Sequence, residues 1–320
     1  MSRPDKGFFA VSLDSFRSVC DRLDMNECCL YLIYCCGSDR TNTKTSWSIN
    51  ALTKYTAISV RRAQKAASLL AKHGYVTKDR EGKHPKFTIN RDKDGETVWI
   101  PKTFVWGASD ETPPLEHLRR TGDHMILRLV FDLYWQCDIA EDGGIRDLWS
   151  VYDKEHIAEH AQFNIIGFTG TSLKLVNRGD LTEPHLDQEL EKPFQPFWDR
   201  LDILIDLGLI YPVPTLFDSQ DGEVVVPIID PFDQQPIENF CTIAHYVLPE
   251  VMHYALEKNE FNLLVQKTMK SVVLKGMYVL RYRQHTAKTN AGYAKTKERI
   301  CLYQRDIKDV SRRYQGVNQG

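Results

Sequence analysis

Arg61, Lys65, Ser68 and Lys72 are spaced by four, three and four residues, and Arg62 and Gln64 lie beside them. On an α-helix that spacing gathers the six along one flank, with long hydrogen-bond donors directed away from the body. Arginine pairs bidentately with guanine, and glutamine with adenine, at base edges in the DNA major groove, which admits a helix. Lysine holds phosphates and sets position without reading sequence. The flank therefore predicts contact with double-stranded DNA.

The elements that must position this flank are readable around it. Val60, Ala63, Ala67 and Leu70 step by three, four and three, which predicts the buried stripe of the same helix, with alanine allowing close approach of a neighbour. Upstream, SINALTKYT (48–56) reads as a helix capped by Ser48. AIS (57–59) is a turn, and Ser59 caps the helix that runs to about His73 and stops at Gly74. YVTKDREGKHPKFTIN (75–90) alternates around a Gly/Pro turn and predicts a hairpin carrying Lys78, Arg80, Lys83, His84 and Lys86.

The run SINALTKYTAISVRRAQKAASLLAKHGYV, followed by a basic hairpin, resembles the winged helix-turn-helix superfamily over about residues 46–90. The resemblance implies a recognition helix from Ser59 to Lys72 and a wing from Thr77 to Thr88 that grips the adjacent backbone or minor groove. The implied DNA contacts are Ser59, Arg61, Arg62, Gln64, Lys65, Ser68 and Lys72 on the helix, and Lys78, Arg80, Lys83 and Lys86 on the wing. Some winged helices bind proteins instead.

Charge is distributed unevenly beneath a net value of −2. Residues 51–100 hold 11 Lys and Arg against 5 Asp and Glu. Residues 101–250 hold 10 against 27, and residues 251–320 hold 14 against 5. Basic blocks near both ends suit polyanion contact, and the acidic middle suits a separate task or attraction to those blocks within the molecule.

Other constellations carry less. HIAEH (156–160) has the H-x-x-E-H form. On a helix His156 and His160 would share a face and hold zinc with Glu159 as base, and Glu238 or Glu250 would supply a third ligand. Three fixed positions arise easily by chance, so a polar helical surface is the preferred reading and a zinc-dependent hydrolase the alternative. Cys28, Cys29, Cys35 and Cys36 form CC-x5-CC within a helical segment. Seven residues are roughly 10.5 Å of helical rise, too far for one disulfide or for adjacent ligands of one zinc. These thiols are expected to be small buried hydrophobes in a reducing compartment. GFTGTS (167–172) is a weak phosphate cradle without a following lysine. No reaction and no cofactor are assigned.

Downstream, FWDRLDILIDLGLIYPVPTLFDSQDGEVVVPIID (197–230) repeats the order helix, glycine, strand, turn, strand, with Asp199, Asp202 and Asp206 where a DNA reader needs donors. Two winged-helix-like units resemble plasmid and phage replication initiators, in which the second unit usually reads DNA, whereas here the first is equipped for it. WSVYDKEHIAEHAQ (149–162) reads as a helix, and 162–195 resists assignment. Phe261, Leu264, Val265, Val272, Val279 and Leu280 keep near-helical spacing, as do Ile300, Tyr303, Ile307, Val310 and Tyr314. That last stripe fits packing on the body or on a second copy, with Lys295, Lys297, Arg299, Arg312 and Arg313 left for phosphates.

The expected fold is α+β, mostly α with small β-hairpins: a winged helix-turn-helix domain (1–106), a linker (107–117), a second, acidic winged-helix-like domain (118–250) and a basic helical extension (251–320). No apolar run approaches membrane-spanning length and the first residues lack a secretion-signal core, so the expected location is the cytoplasm. The expected function is that of a sequence-specific DNA-binding transcriptional regulator, not an enzyme, working as a homodimer through the C-terminal helices or the second domain. A replication initiator and an adaptor acting through the acidic middle are the further alternatives.

Overall fold

MNECCLYLIYCC is apolar around nearly its whole circumference, and a helix of that kind belongs in an interior. In the computed structural model it forms α2 (Met25–Cys36), with every residue but Asn26 buried. The four paired cysteines on α2 are free, buried thiols. Cys28 Sγ donates to the Leu23 carbonyl, and burial pushes the Cys36 thiol up to about 12. They pack as small hydrophobes. The structure describes residues 7–80, 86–92, 94–107, 112–137, 144–145, 151–160, 163–172, 183–217, 224–227, 263–267, 271–282, 291, 294–295 and 298.

The chain divides into two compact units, the first made of Met1–Gln136, His185–Leu209 and Leu280–His285. Ahead of α2 lie β1 (Phe8–Ser12) and α1 (Leu13–Arg22), whose N-cap Ser12 accepts from the Ser15 amide. β1 pairs antiparallel with β5 (Thr97–Pro101), a ribbon that periodicity did not announce. Between them run β2 (Lys44–Thr45), α3 (Ile49–Thr56), α4 (Val60–Lys72), β3 (Val76–Arg80) and β4 (Lys86–Ile89). β2, β4 and β3 form a three-stranded antiparallel sheet in that spatial order. The hairpin lies where the alternation placed it, and β2 adds a third strand to it from ahead of α3.

The first unit continues through α5 (Thr103–Trp106), α6 (Pro114–Thr121), α7 (Met125–Gln136) and α8 (Gln195–Asp206). The expected linker 107–117 thus overlaps α6, which starts on Pro114 and buries Leu115 and Leu118. α7 packs on α1 through Phe16 and Phe131, whose ring centroids lie 4.2 Å apart. Arg17 Nη2 meets Asp132 at 2.6 Å, and Arg128 pairs with Asp21. α8 joins the same unit through Arg200, whose Nε donates to Asp123 Oδ2 at 2.5 Å. These contacts carry the unit well past the boundary that composition suggested.

The second unit comprises Cys137–Pro184, Ile210–Val279 and Thr286–Gly320. It holds a six-stranded sheet in the order β6-β7-β10-β11-β8-β9, formed by β6 (Val151–His160), β7 (Phe163–Ser172), β8 (Ile210–Phe217), β9 (Val224–Pro227), β10 (Leu263–Lys267) and β11 (Ser271–Leu280). The α+β class holds. Two helical expectations do not. Residues 151–160 form a strand paired antiparallel with β7, not a helix. The segment 261–280 contains β10 and β11, which pair through Leu263↔Leu274 and Val265↔Val272. β8 and β9 pair as expected, but within this larger sheet rather than as a lone second wing. The stripe from Ile300 to Tyr314 lies outside the described residues, as do Lys297, Arg299, Arg312 and Arg313.

Candidate nucleic-acid interface

The turn between α3 and α4 aims α4 outward. Ser48 Oγ accepts from the Asn50 amide at 3.3 Å and starts α3. Ala57 closes it in the left-handed region at φ 54°, ψ 26°, and Ile58 is buried beneath the turn. Ser59 is the N-cap of α4 by backbone geometry, and the Ala63 amide bonds its carbonyl at 3.0 Å. No side-chain cap bond forms at Ser59, so its hydroxyl stays exposed at the helix start.

The far end of α4 is fixed with equal care. Gly74 takes φ +77° and ends the helix, and the Tyr75 amide bonds the Leu70 carbonyl at 3.0 Å. A left-handed residue after the last turn is where glycine carries least strain. Tyr75 OH then donates to the Ser18 carbonyl on α1 at 2.8 Å. Asn90 Nδ2 donates to the Gly74 carbonyl at 2.8 Å, tying the returning strand β4 to the same point.

The buried side of α4 consists of Ala63, Ala66 and Leu70. This corrects the expected stripe: Ala66 replaces Ala67, and Val60 is 49% exposed. Both patterns step by three and four, and the packing against α2 selects the one rotated by about 100° at that turn.

The outward flank matches its expectation in placement. Ser59, Arg61, Arg62, Gln64, Lys65, Ser68 and Lys72 are all exposed. Among the described residues no ion pair involves Arg61, Arg62 or Lys72, while Ser68 Oγ donates to the Gln64 carbonyl at 3.1 Å. Lys65 differs from its neighbours. Burial raises the Glu27 carboxyl on α2 above its usual range, with Asp24 adding to the rise, and the Lys65 ammonium partly offsets it.

On the hairpin Lys78, Arg80 and Lys86 are exposed, and Lys83 lies outside the described residues. Arg80 pairs in register with Lys86, beyond an irregularity between Lys78 and Arg80. Asp79, the acidic residue among them, has its Oδ2 engaged by Thr88 Oγ1 at 2.6 Å. Lys44 was not singled out by sequence reasoning. Its register with Thr88 sets it on the same sheet face as Thr88 and Lys86, opposite the buried Phe87 and Ile89. Only the pairing of β2 exposes this relationship, because two residues carry no alternation of their own.

Such an arrangement supplies cationic and amide donors along one helix and its neighbouring sheet, with no ion pair to Arg61, Arg62 or Lys72 among the described residues. The other constellations lack comparable geometry. On strand β6, His156 and His160 are separated by roughly 13 Å of backbone rise at four residues, so the shared helical face needed for one metal is absent. Among the described residues no group of three His, Cys, Asp or Glu side chains is placed to hold a metal. On α8, Asp199, Asp202 and Asp206 are exposed, and the Asp202 carboxyl is raised by burial and then by Asp206 and Asp199. That face repels phosphate. No helix among the described residues is long and apolar enough to cross a membrane.

The chain matches no protein-family model, no curated protein and no solved structure.

Proposed function

We propose that this protein binds double-stranded DNA as a winged helix-turn-helix, with α4 in the major groove and the β3–β4 hairpin on the adjacent backbone. In this reading Arg61, Arg62 and Gln64 address base edges, while Ser59, Lys65, Ser68, Lys72, Lys78, Arg80, Lys83 and Lys86 set position on phosphates. The observation that carries it is the outward flank of α4. Its seven candidate residues are exposed, and Arg61, Arg62 and Lys72 form no ion pair among the described residues. The fixed C-terminal end of α4, closed by Gly74 and anchored by Tyr75, supports the same reading, because it holds the donors on a rigid element. The biological role that fits is transcriptional regulation of bacterial or mobile-element type in the cytoplasm, with a dimer matching half-sites one helical turn apart. The exposed acidic face of α8 favours a regulator over an initiator that reads DNA with two units.

The test is charge reversal at Arg61 and Arg62 together. Lys65 is left unchanged, because its charge acts on the buried Glu27 carboxyl and a carboxylate in its place would disturb that group as well as any DNA contact. Retardation of fragmented genomic duplex DNA at low salt is expected to disappear in the double variant while its melting temperature is kept. Unchanged retardation rejects α4 as the DNA-contacting element.

A further inference from the structure

Val60 occupies the first helical position of α4, directly after the turn, and is 49% exposed, the most open of the large hydrophobic side chains found at the surface among the described residues. It does nothing for the core, which α4 reaches through Ala63, Ala66 and Leu70. Nor does it favour the helix, since valine loses side-chain freedom there relative to alanine or a straight-chain residue. A single exposed apolar residue is ordinary on a surface. Its neighbours make this one informative. Arg61 and Arg62 follow it, and Gln64 stands one turn along the same line, so one isopropyl group sits within a row of donors.

Resting on the DNA-binding reading, we infer that Val60 is a specificity-determining residue that covers the 5-methyl group of a thymine, with Gln64 directed at an adenine close by. The N-terminal residues of a helix-turn-helix recognition helix are those that meet base edges. In the major groove the thymine methyl is the apolar group on offer, and a glutamine amide matches the N6 and N7 edge of adenine. Val60 and Gln64 are about 6 Å apart along the helix axis, which spans roughly two base steps of about 3.4 Å. Both contacts therefore fall within one short stretch of the site. A polar residue at 60 would leave the methyl uncovered, whereas a larger apolar one would hold the helix out of the groove.

Selection of duplexes from a random library by the full chain, and by its Val60→Ser variant, tests this. Serine removes both methyl groups on an exposed position that contributes nothing to the core, so the fold is kept, as a melting curve verifies. The unsubstituted chain is expected to select a motif containing a thymine whose preference vanishes in Val60→Ser, while preferences elsewhere persist. Replacing that thymine by uracil removes only the methyl, and is expected to weaken binding about four-fold for the unsubstituted chain and leave Val60→Ser unaffected. Identical motifs from both chains, or an equal effect of uracil on both, overturns the inference while leaving DNA binding intact. DNA retained without any motif also overturns it. Retention of no DNA by either chain rejects the DNA reading together with it.

Discussion

Tyr75, the first residue beyond the glycine that ends α4, donates its hydroxyl to the Ser18 carbonyl on α1 at 2.8 Å. The Ser18 hydroxyl lies 2.9 Å from the Tyr75 hydroxyl oxygen. The Tyr75 ring also stands edge-on to Tyr31 of α2, with centroids 6.4 Å apart. One side chain thus fixes the end of the exposed helix to both helices beneath it. Tyr75→Phe keeps the ring and removes the donor. It is expected to cost about 1 kcal/mol, read as a lower urea midpoint with unchanged slope.

Gly37 admits Trp47, since a Cβ there would lie 2.2 Å from the indole. Trp47 stacks between Tyr55 of α3 and Trp106 of α5, at 5.5 and 6.2 Å. Lys54 and Lys102 lie over the outer two rings. Gly37→Ala must displace the indole and open this stack. The expected loss is about 1–3 kcal/mol by overpacking, measurable by chemical denaturation, with quenched or shifted tryptophan fluorescence as a second readout. A stability within a few tenths of the parent would show that the stack yields at no cost.

Ala57 holds the left-handed conformation that closes α3, at φ 54°. A Cβ is disfavoured there by roughly 1 kcal/mol, and glycine removes that strain while adding freedom to the unfolded chain. Ala57→Gly is expected to stabilise the protein by a few tenths to about 1 kcal/mol. A lower melting temperature would indicate that the turn has a different geometry.

His185 is 98% buried, and its Nδ1 accepts from Arg200 Nη1 at 2.8 Å. Burial, followed by the Arg200 and Arg128 charges, holds the imidazole at about 3, against the pull of Asp123. In the unfolded chain the same group titrates near 6.5. Its contribution to stability is therefore full above about 6.5 and is lost as pH falls from there towards 3, because only the unfolded chain takes up the proton. Stability at pH 5 is expected to be about 2 kcal/mol below that at pH 8 from this group. His185→Gln should flatten that dependence. The carboxyls of Asp132 and Glu27 are raised mainly by burial, so they act in the opposite sense, favouring the folded state as pH falls through their window just above the ordinary carboxylate range.

The α3–turn–α4 pair and the hairpin were legible because their punctuation is local: Ser48 and Gly74 act on the backbone within a few residues of themselves. Which residue of α4 faces inward was less so. Ala66 and Ala67 both satisfy a helical period, and only the opposing surface of α2 separates them. The strands β6, β10 and β11 were misread for a related reason. Short apolar runs such as LLVQK and SVVLKGMYVL match a helical period by chance, and their β-branched content was the better guide. β2 is two residues long, so its pairing with β4, and with it the place of Lys44, carries no periodic signal at all. The extension of the first unit through α7 and α8 rests on Arg17–Asp132 and Arg200–Asp123, long-range pairs that no local pattern reports.

Salt dependence of binding tests the central claim most directly. Fluorescence anisotropy of a duplex titrated with the full chain between about 50 and 200 mM salt is expected to show log affinity falling linearly with log salt, steeply enough for several phosphate contacts. Replacing Lys72 with alanine should make that slope shallower by about one. Affinity independent of salt, or no binding at the lowest salt, would contradict the assignment of α4 and its hairpin as a DNA-binding surface.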